Sequence, residues 1–487
     1  MIALREIVYK VSIEAVKGST DITINAIDFD SRKIGTNDLF IAIKGTQSNG
    51  HDFINKAIQQ GATAIVCDTF PAEIAEGITY IQVKDTNKAL AFIAANYYGN
   101  PSHSLKLVGI TGTNGKTTIA SLLYQLFQKA GHKVGLLSTV KIMVDEVEYK
   151  ATHTTPDSIT INKYLREMVD NDVTHCFMEV SSHGIHQQRT EALQFEGGVF
   201  TNLSHDHLDY HPTFSEYRDV KKSFFDHLPK AAFALVNIDD KNGTVMLQNT
   251  TARKLTYALK SYANYRAQIL ESQMSGLLMK INENEVWVRL IGTFNAYNLL
   301  AIYGTAVELG LDSFDVLRLL SELESVSGRF QYIVSNEKIT AIVDYAHTPD
   351  ALENVLKTIN DIRTKNEQLI TIVGCGGDRD KTKRPIMANI ATTLSDKVII
   401  TSDNPRTENP ETIIAEMEKG VEPQNFKKAV SITDRKQAIK TACQLAQPND
   451  IILIAGKGHE TYQEINGVRY DFDDMQIVKE LLIQLGK

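Results

Sequence analysis

The segment "LKLVGITGTNGKTTIASLLYQLFQKAG", residues 105–131, decides the fold of this 487-residue chain. Residues 105–111 form the apolar run of a buried strand, and the residues after 118 have the apolar spacing of a helix. The glycine loop "GTNGKTT", residues 112–118, joins the two. Glycines let backbone N–H groups close around an anion, and a helix N-terminus favours negative charge. The segment therefore predicts a phosphate-binding loop after a strand of an α/β sheet.

The loop carries the side chains that a bound nucleotide requires. Lys116 is placed to reach the outer phosphates, and Thr117 is placed to ligate magnesium. The other residues predicted to contact the nucleotide are Gly112, Thr113, Asn114, Gly115 and Thr118. The common pattern GxxxxGKS/T is not matched, because Ile110 stands at its first glycine position. An ordinary glycine-rich turn between a strand and a helix is the alternative interpretation.

Two uses of a nucleotide are open at this point. A switch or motor would hydrolyse it, whereas an enzyme would spend ATP on a second substrate. A GTP switch is expected to carry the guanine-reading pattern NKxD. The Asn-Lys pairs that begin at positions 55, 87 and 162 lack the aspartate, which favours the enzyme.

Short apolar runs alternate with helical stretches along the chain. The predicted strands cover residues 61–68, 78–85, 105–111, 174–180, 197–202, 233–238, 340–346, 369–375, 396–403 and 449–456. Strands that alternate with helices predict an α/β fold with parallel sheets covered on both faces. Ligands bind beyond the carboxyl ends of such strands, so the residues just after these runs are the candidates for a site.

Composition limits the class of protein. The formal net charge of -8 argues against nucleic acid as a partner, since nucleic-acid-binding proteins usually carry a basic face. The four cysteines stand far apart without a CxxC pair, which indicates buried thiols in a reducing compartment. The first residues carry charges too early for a signal peptide, and no apolar run approaches the ~18 residues that span a bilayer. We therefore expect a cytoplasmic protein without membrane insertion.

Two segments that follow predicted strands carry candidate metal ligands. Glu179 ends the strand at 174–180, and hard oxygen ligands such as its carboxylate suit magnesium. The segment "SHDHLDYH", residues 204–211, nearly matches the HxHxDH pattern of dinuclear zinc hydrolases, but its last histidine comes one residue late. A magnesium site that uses one histidine and a polar surface loop are the other interpretations. A zinc hydrolase would leave the phosphate loop in the same sheet without a role.

Seven motifs in one order give the chain a family resemblance. They are "GTNGKTT", "MEVSSHG", "TNLSHDHLDYH", "GTFNAYN", "SGRF", "DYAHTP" and "AGKGHE", spread over residues 112–460. Together they resemble the Mur ligases of peptidoglycan synthesis. The earlier segment "DFDSRKIGTNDLFIAIKGTQSNGHDFI", residues 28–54, looks like the uridine-nucleotide-binding domain of the member that adds the third residue.

The resemblance implies three domains. Residues 1–103 would form a small mixed α/β domain that binds UDP, and residues 104–333 a central ATPase domain with a parallel sheet and the phosphate loop. Residues 334–487 would form a Rossmann-like domain that binds the incoming amino acid.

The resemblance also implies the reaction of an ATP-dependent amide ligase. The terminal carboxylate of UDP-N-acetylmuramoyl-L-Ala-D-Glu would attack the γ-phosphate of ATP and form an acyl phosphate. The amine of meso-diaminopimelate would then displace phosphate. Attack of one anion on another needs charge neutralisation, which Lys116 and two magnesium ions would supply.

The family pattern assigns the metal ligands and a modified lysine. Thr117 and Glu179 would serve the magnesium on the ATP side, and His207 the second ion. Lys221 aligns with a carbamylated lysine of the family. An ammonium group cannot ligate a cation, whereas a carbamate is effectively an additional carboxylate. Lys116, His207 and Lys221 are therefore the expected catalytic residues.

The remaining contacts are also carried over from the resemblance. The UDP-dipeptide would be bound by Ser31, Thr154, Thr155, Ser181, Gln187 and Arg189. Asn295 is expected near the adenine of ATP, and Arg329 and Asp344 near its ribose and phosphates. Short strings such as "GxFN" and "GR" also occur by chance, and ordinary turn chemistry is their alternative explanation.

The turn "SDNPRTENP", residues 402–410, addresses the choice of amino acid. Diaminopimelate differs from lysine by a second carboxylate, and the planar fork of an arginine can pair both of its oxygens. Arg406 matches the diaminopimelate motif of the family, whereas lysine-adding relatives lack it. The other residues expected to bind diaminopimelate are Arg384, Asp403, Asn404, Pro405, Gly456 and Glu460. A solvated turn arginine is the alternative.

Three other functions are weighed against this one. The same ligase could add L-lysine. A ligase like folylpolyglutamate synthetase has a related phosphate loop, but the segment "DSR", followed by "NDLF", is typical of the UDP domain. A non-catalytic nucleotide-controlled binding protein should have lost Lys116, His207 or Lys221, and all three are present. We expect a monomer.

Overall fold

The computed structural model describes residues 1–45, 48–204 and 210–487. Its strands form three large sheets that follow one another along the chain, with two small two-stranded sheets beside them. The α/β fold class predicted from the sequence is confirmed. No helix in the described ranges is both long and apolar enough to cross a bilayer.

The N-terminal part is built on a five-stranded sheet in the order β2-β7-β6-β5-β4. The strands of that sheet are β2 Ile13–Lys17, β4 Ile27–Asp28, β5 Asp38–Ile41, β6 Ala62–Cys67 and β7 Thr79–Val83. The strands β1 Ile2–Ala3 and β3 Thr23–Ile24 pair in a separate two-stranded sheet. The helices of the N-terminal part are α1 Leu4–Ile7, α2 Ile54–Gln60 and α3 Thr86–Tyr97, with 3₁₀ turns at Ser31–Lys33, Gly50–Phe53 and Pro101–Ser104. The strands at 61–68 and 78–85 were both correctly predicted.

The central part contains an eleven-stranded sheet in the order β11-β10-β9-β12-β8-β13-β14-β15-β16-β17-β18. Its strands are β8 Lys106–Thr111, β9 Val134–Leu137, β10 Lys141–Val144, β11 Val147–Lys150, β12 His175–Glu179, β13 Gly197–Phe200, β14 Phe233–Asn237, β15 Arg253–Ala258, β16 Tyr265–Gln273, β17 Gly276–Ile281 and β18 Asn284–Val288. Its helices are α4 Lys116–Lys129, α5 Ser158–Asp170, α6 Ser182–His186, α7 Phe214–Asp226, α8 Gly243–Met246, α9 Thr293–Glu308 and α10 Ser313–Ser321. The run from β9 to β16 is parallel, and antiparallel hairpins extend the sheet at both edges.

The C-terminal part contains a six-stranded sheet in the order β19-β20-β24-β21-β22-β23, parallel except for β19. Its strands are β19 Gln331–Val334, β20 Thr340–Asp344, β21 Leu369–Val373, β22 Lys397–Ile400, β23 Ala429–Ser431, β24 Ile451–Ala455, and the hairpin strands β25 Tyr462–Ile465 and β26 Val468–Asp471. Its helices are α11 Pro349–Ile362, α12 Lys383–Leu394, α13 Pro410–Glu418, α14 Arg435–Leu445 and α15 Asp474–Gln484, with a 3₁₀ turn at Pro423–Lys428.

The central strands are buried on both faces, because helices cover the sheet from both sides. Every residue of β12 and β14 is buried, as the continuous apolar runs predict. Helix α4 packs on the sheet through one apolar core that also includes α9. A second core, with α5 and α7, covers the opposite face. These layers fix the strand ends from which the polar side chains of a site emerge.

Candidate active site

The phosphate loop leaves β8 after Thr111 and enters α4 at Lys116. Gly112 and Gly115 have φ angles of +147° and +90°, in the region that favours glycine. A Cβ at Gly112 would lie 1.9 Å from Thr201 Oγ1, and one at Gly115 would lie 2.6 Å from Asn298 Oδ1. Both positions therefore need glycine, because the backbone conformation disfavours other residues and a side chain would collide with Thr201 or Asn298.

Lys116 lies over the loop, as the sequence predicts for a phosphate ligand. Its Nζ donates to the carbonyl oxygens of Gly112 at 3.0 Å and Thr113 at 2.8 Å. Its ammonium group therefore lies at the rim of the loop, next to the position that the outer phosphates of a nucleotide would occupy.

The two residues predicted for the first magnesium lie together. Thr117 Oγ1 donates to Glu179 Oε2 at 2.9 Å, and the N–H of Thr139 donates to Glu179 Oε1 at 2.7 Å. Glu179 is fully buried at the end of β12, beside the loop after β8. A hydroxyl and a carboxylate next to a phosphate loop form an oxygen donor set that fits magnesium.

Lys221 is not a surface charge. Only 1% of the residue is exposed, and its Nζ donates to the same Gly112 carbonyl oxygen at 3.0 Å. The Nζ also lies 4.9 Å from the centre of the Tyr217 ring. Helix α7 thus places this lysine directly beneath the phosphate loop. The predicted ligand His207 lies outside the described residues.

A cavity of about 450 Å³ separates the phosphate loop from the C-terminal sheet. On the central side it is lined by residues 113–118, Thr139, Thr154 and Glu179. On the C-terminal side it is lined by Tyr345, His347, Gly376, Arg379, Asp403, Asn404, Arg406, Gly456 and Glu460, among others. The carboxyl ends of two parallel sheets therefore face one space, which is where α/β proteins bind ligands.

The loop after β22 brings Arg406 to the wall of this cavity. Arg406 has a φ of +51°, and its Nη1 donates to the Gly377 carbonyl oxygen at 2.7 Å. A Cβ on Gly376 would lie 2.9 Å from the same Nη1, so the loop after β21 closely borders this guanidinium.

A buried lysine organises the acidic side of the cavity. Lys457 Nζ lies 2.9 Å from Asn404 Oδ1, 3.3 Å from Glu460 Oε2 and 3.5 Å from Asp403 Oδ1. Burial raises the pKa of Glu460, and the neighbouring Asp403 raises it further. An ammonium group placed beside Glu460 would lower its pKa again, because a nearby positive charge favours the ionised carboxylate. Lys457 was missed at the sequence level, although it stands in the quoted "AGKGHE".

Arg384, predicted to bind diaminopimelate, is held by two carboxylates beside the first cavity. Its side chain is fully buried and bonds to Glu408 and Glu416, with Nη1–Oε2 distances of 3.0 and 2.6 Å. Arg384 does not line the described cavity, whereas Arg379, five positions earlier, does. Helix α12 buries Arg384 on the face that also carries Met387, Ala388 and Ala391. This spacing of three, four and seven residues was the available signal.

A second cavity of about 540 Å³ continues from the phosphate loop between α9 and α11. Asn295, Arg329 and Asp344, predicted for ATP, all line it. Arg329 Nη2 donates to Thr117 Oγ1 at 3.2 Å, and its guanidinium carbon lies 4.6 Å from the centre of the Tyr345 ring. Asp344 accepts from the N–H of Phe330 at 2.7 Å, and burial raises its pKa.

Most residues predicted for the UDP-dipeptide form one network beside Glu179. Thr155 Oγ1 donates to the Glu179 carbonyl oxygen at 2.8 Å and accepts from the Ser181 N–H at 2.9 Å. Arg189 donates to the Thr155 carbonyl oxygen at 2.5 Å and to Gln187 Oε1 at 2.6 Å. Thr154 lines the first cavity. Ser31 lies apart, in the N-terminal part at the start of the 3₁₀ turn Ser31–Lys33.

The fold and the site together define a phosphate-loop protein with three successive α/β parts. Family profiles agree: "Mur ligase family, catalytic domain" matches residues 23–98, "Mur ligase middle domain" matches 110–306, and "Mur ligase, glutamate ligase domain" matches 328–458. The chain belongs to the Mur ligase family.

Individual relatives are similar over the full length. A UDP-N-acetylmuramoyl-L-alanyl-D-glutamate--2,6-diaminopimelate ligase of Cytophaga hutchinsonii is 56% identical over 485 residues, 99% of this chain and 100% of that protein. The protein of the same name from Bacteroides fragilis is 52% identical, covering 98% of this chain and 99% of its own length. A solved structure of such a ligase has 33% identity and a TM-score of 0.71, covering 100% of this chain and 99% of its own.

Proposed function

We propose that the chain is an ATP-dependent ligase that adds meso-2,6-diaminopimelate to the D-Glu carboxylate of UDP-N-acetylmuramoyl-L-Ala-D-Glu. One observation carries the proposal: the phosphate loop faces the turn of residues 402–410 across one cavity. That turn carries Arg406 and is called the arginine loop below. Full-length relatives bearing the name of this ligase support the same reaction. The fold alone would also suit a folylpolyglutamate synthase, with which it shares a TM-score of 0.58 at 15% identity.

On the ATP side, the chain supplies charge neutralisation. Lys116 and Arg329 are the cations proposed to hold the transferring phosphoryl group, since both lie at the phosphate loop. Thr117 and Glu179, with Lys221 as a carbamate and His207, would hold magnesium. Magnesium, when bound, supplies further positive charge to the phosphate oxygens. The adenosine would occupy the second cavity, against Asn295 and Asp344.

On the amino-acid side, charge pattern matches the substrate. Arg406 and Arg379 would pair the distal carboxylate of diaminopimelate, which lysine lacks. Asp403, Asn404 and Glu460 would receive ammonium groups, with Gly456 at the wall and Pro405 in the loop that carries Arg406. This arrangement would bring the attacking amine to the acyl phosphate formed beside Lys116, with both reactants in one cavity.

The division of labour follows the three sheets. We propose residues 1–103 as the UDP domain with Ser31, 104–333 as the ATPase domain and 334–487 as the amino-acid domain. Thr154, Thr155, Ser181, Gln187 and Arg189 would bind the muramoyl dipeptide. We propose a cytoplasmic monomer, because ATP and a UDP-linked substrate are both supplied there and one chain provides every proposed contact.

The test is ADP release with the UDP-dipeptide, ATP, magnesium and a panel of amino acids. Lys116→Ala should lower turnover by about a hundredfold or more, as loss of a charge-stabilising group does. Lys129→Ala, at the far end of the same helix α4 and exposed beside Glu322, is the matched control and should remain fully active. Near-normal ligation by Lys116→Ala would contradict the phosphate-loop assignment.

A further inference from the structure

Arg406 occupies a backbone conformation that needs support. Its φ of +51° lies in the left-handed region, which costs free energy in a residue with a side chain. Its N–H donates to the Glu464 carbonyl oxygen at 3.1 Å, and its carbonyl oxygen accepts from the Asn466 N–H at 2.7 Å. These two bonds fix the backbone from the side of the β25–β26 hairpin. On the opposite side, the Arg406 guanidinium donates to the Gly377 carbonyl oxygen at 2.7 Å.

Glu408 supplies a second attachment on that side. Its own N–H donates to the Pro405 carbonyl oxygen at 3.0 Å, which closes a turn around Arg406. Its Oε1 accepts from the Asp378 N–H at 2.6 Å, in the loop that follows β21. Lys381 Nζ lies 3.2 Å from its Oε2. Glu408 therefore connects the loop that carries Arg406 to the loop after β21. The Gly377 carbonyl oxygen of that second loop also accepts from the Arg406 guanidinium.

Arg384 holds the Glu408 carboxylate in place. Its Nη1 donates to Oε2 at 3.0 Å and its Nη2 to Oε1 at 2.8 Å, so the two groups form a two-bond pair. Its Nη2 also lies 3.3 Å from the Gly376 carbonyl oxygen. The hydrogen bonds from Arg384 hold the pKa of Glu408 down to about 2, so the carboxylate stays charged throughout the working pH range.

The contacts of Glu408 with Arg384 and the Asp378 backbone are called the clamp here. The neighbouring residue Thr407 adds a second, smaller part to it. Thr407 donates from its N–H and its Oγ1 to the Asp378 carboxylate, at 3.2 and 2.8 Å. Neither Glu408 nor Thr407 lines the described cavity. Both residues follow Arg406 in the same loop without lining the cavity, so any effect they have on amino-acid choice must pass through that loop.

We propose that Glu408 is a positioning residue for amino-acid selection: together with Arg384 and the Asp378 backbone, it fixes the loop from which Arg406 faces the cavity. The inference rests on the proposed function, because it deepens the role of Arg406 in choosing diaminopimelate. Without the clamp, the loop spends less time in the competent conformation. The apparent affinity for diaminopimelate then falls in proportion to that fraction.

The test is steady-state kinetics of Glu408→Gln, which keeps the size of the side chain and removes its charge. If the competent fraction falls to about a tenth, the KM for diaminopimelate rises about tenfold. The KM values for ATP and the UDP-dipeptide, and kcat at saturating diaminopimelate, should stay within about twofold, because the phosphate loop is untouched. Unchanged diaminopimelate KM, or an equal rise for all three substrates, would overturn the proposal.

Glu416→Gln is the matched control. Glu416 also pairs with Arg384, at 2.6 Å, but it lies on α13 and the structure shows it bonded to neither loop. Its variant should keep the wild-type KM for diaminopimelate. A rise equal to that of Glu408→Gln would show that any loss around Arg384 suffices, and it would refute the specific role of Glu408.

A double variant separates this inference from the proposed function. If Glu408 acts through Arg406, adding Glu408→Gln to Arg406→Ala should change the diaminopimelate KM no further, whereas independent effects would multiply. A further tenfold rise refutes the inference and leaves the function standing. An Arg406→Ala enzyme with unchanged preference for diaminopimelate over lysine refutes the selecting role of Arg406 and the inference built on it, whereas a wild-type enzyme that forms no diaminopimelate product refutes the proposed function itself. Should Glu408→Gln not fold, Thr407→Val is measured instead, with an expected rise of about threefold; no rise refutes the clamp.

Discussion

Arg406→Ala is the substitution that tests amino-acid selection most sharply. The change removes the guanidinium at the cavity wall and its bond to the Gly377 carbonyl oxygen. It leaves the phosphate loop and the acidic cluster of Asp403 and Glu460 intact. Because lysine has no distal carboxylate, only diaminopimelate should lose a contact.

The size of the effect follows from the chemistry of that contact. A guanidinium has five N–H donors, and one nitrogen of Arg406 is already committed to Gly377. The remaining fork can still pair a carboxylate, and a hydrogen bond to a charged group is worth about 1.5–3 kcal/mol. The ratio of kcat/KM for diaminopimelate over lysine should therefore fall by about tenfold to about a hundredfold. Arg379, which borders the same wall, should retain part of the preference.

The assay is ADP release at varied concentrations of each amino acid, with ATP and the UDP-dipeptide saturating. Arg469→Ala is the control, because this arginine stands on the neighbouring strand β26, 4.2 Å from the centre of the Tyr462 ring, and does not line the described cavity. Its selectivity should match the wild type. Equal selectivity in the wild type and Arg406→Ala would refute the reasoning.

Three further substitutions address the rest of the account. Lys221→Ala should lose most ADP release, and added acetate should restore part of it by filling the vacated ligand position; full activity without acetate would contradict a carbamate at Lys221. Asp350 accepts from the phosphate-loop residue Asn114 at 2.8 Å and from Ser204 at 3.0 Å, so Asp350→Ala should raise the KM for ATP about three- to tenfold, while Glu353→Ala on the same helix should not. His175 is buried, and burial lowers its pKa to about 4, so the folded state resists a proton that the unfolded chain accepts near pH 6.5. Stability should fall as pH drops from about 6.5 towards 4, by up to about 1.4 kcal/mol per unit, and His175→Gln should flatten that slope in urea unfolding; an unchanged slope would show that other groups set it.

The sequence was sufficient for features that depend on local pattern. Each predicted strand appears in the structure, because a short apolar run bounded by polar residues has few other solutions in an α/β chain. The phosphate loop at residues 112–118 could also be predicted from the sequence, because its backbone needs conformations that few residues other than glycine tolerate. Gly112 and Gly115 adopt such conformations in the structure. Thr117 and Glu179 could both be predicted for magnesium because one follows the glycine loop after β8 and the other ends β12, and the two strands are neighbours in the sheet.

Features that depend on packing were harder to predict. Arg379 and Arg384 stand in one short charged segment, but Arg379 precedes α12 and lines the cavity, whereas Arg384 lies on the buried face of α12. The helix turns Arg384 towards the sheet and pairs it with Glu408, 24 residues away in the sequence. Lys457 was overlooked for a similar reason: its burial follows from the meeting of the loops after β22 and β24. Contacts between distant segments leave no periodic trace in either one.

The most direct test of the central claim is a competition between two amino acids. Wild-type enzyme is supplied with ATP, magnesium, UDP-N-acetylmuramoyl-L-Ala-D-Glu and equal concentrations of meso-diaminopimelate and L-lysine, and the UDP-tripeptide products are separated by mass. The diaminopimelate product should exceed the lysine product by about tenfold or more, because only diaminopimelate has a distal carboxylate to pair with Arg406 and Arg379 at the cavity wall. Equal amounts of both products, an excess of the lysine product, or ADP release without any tripeptide would contradict the claim.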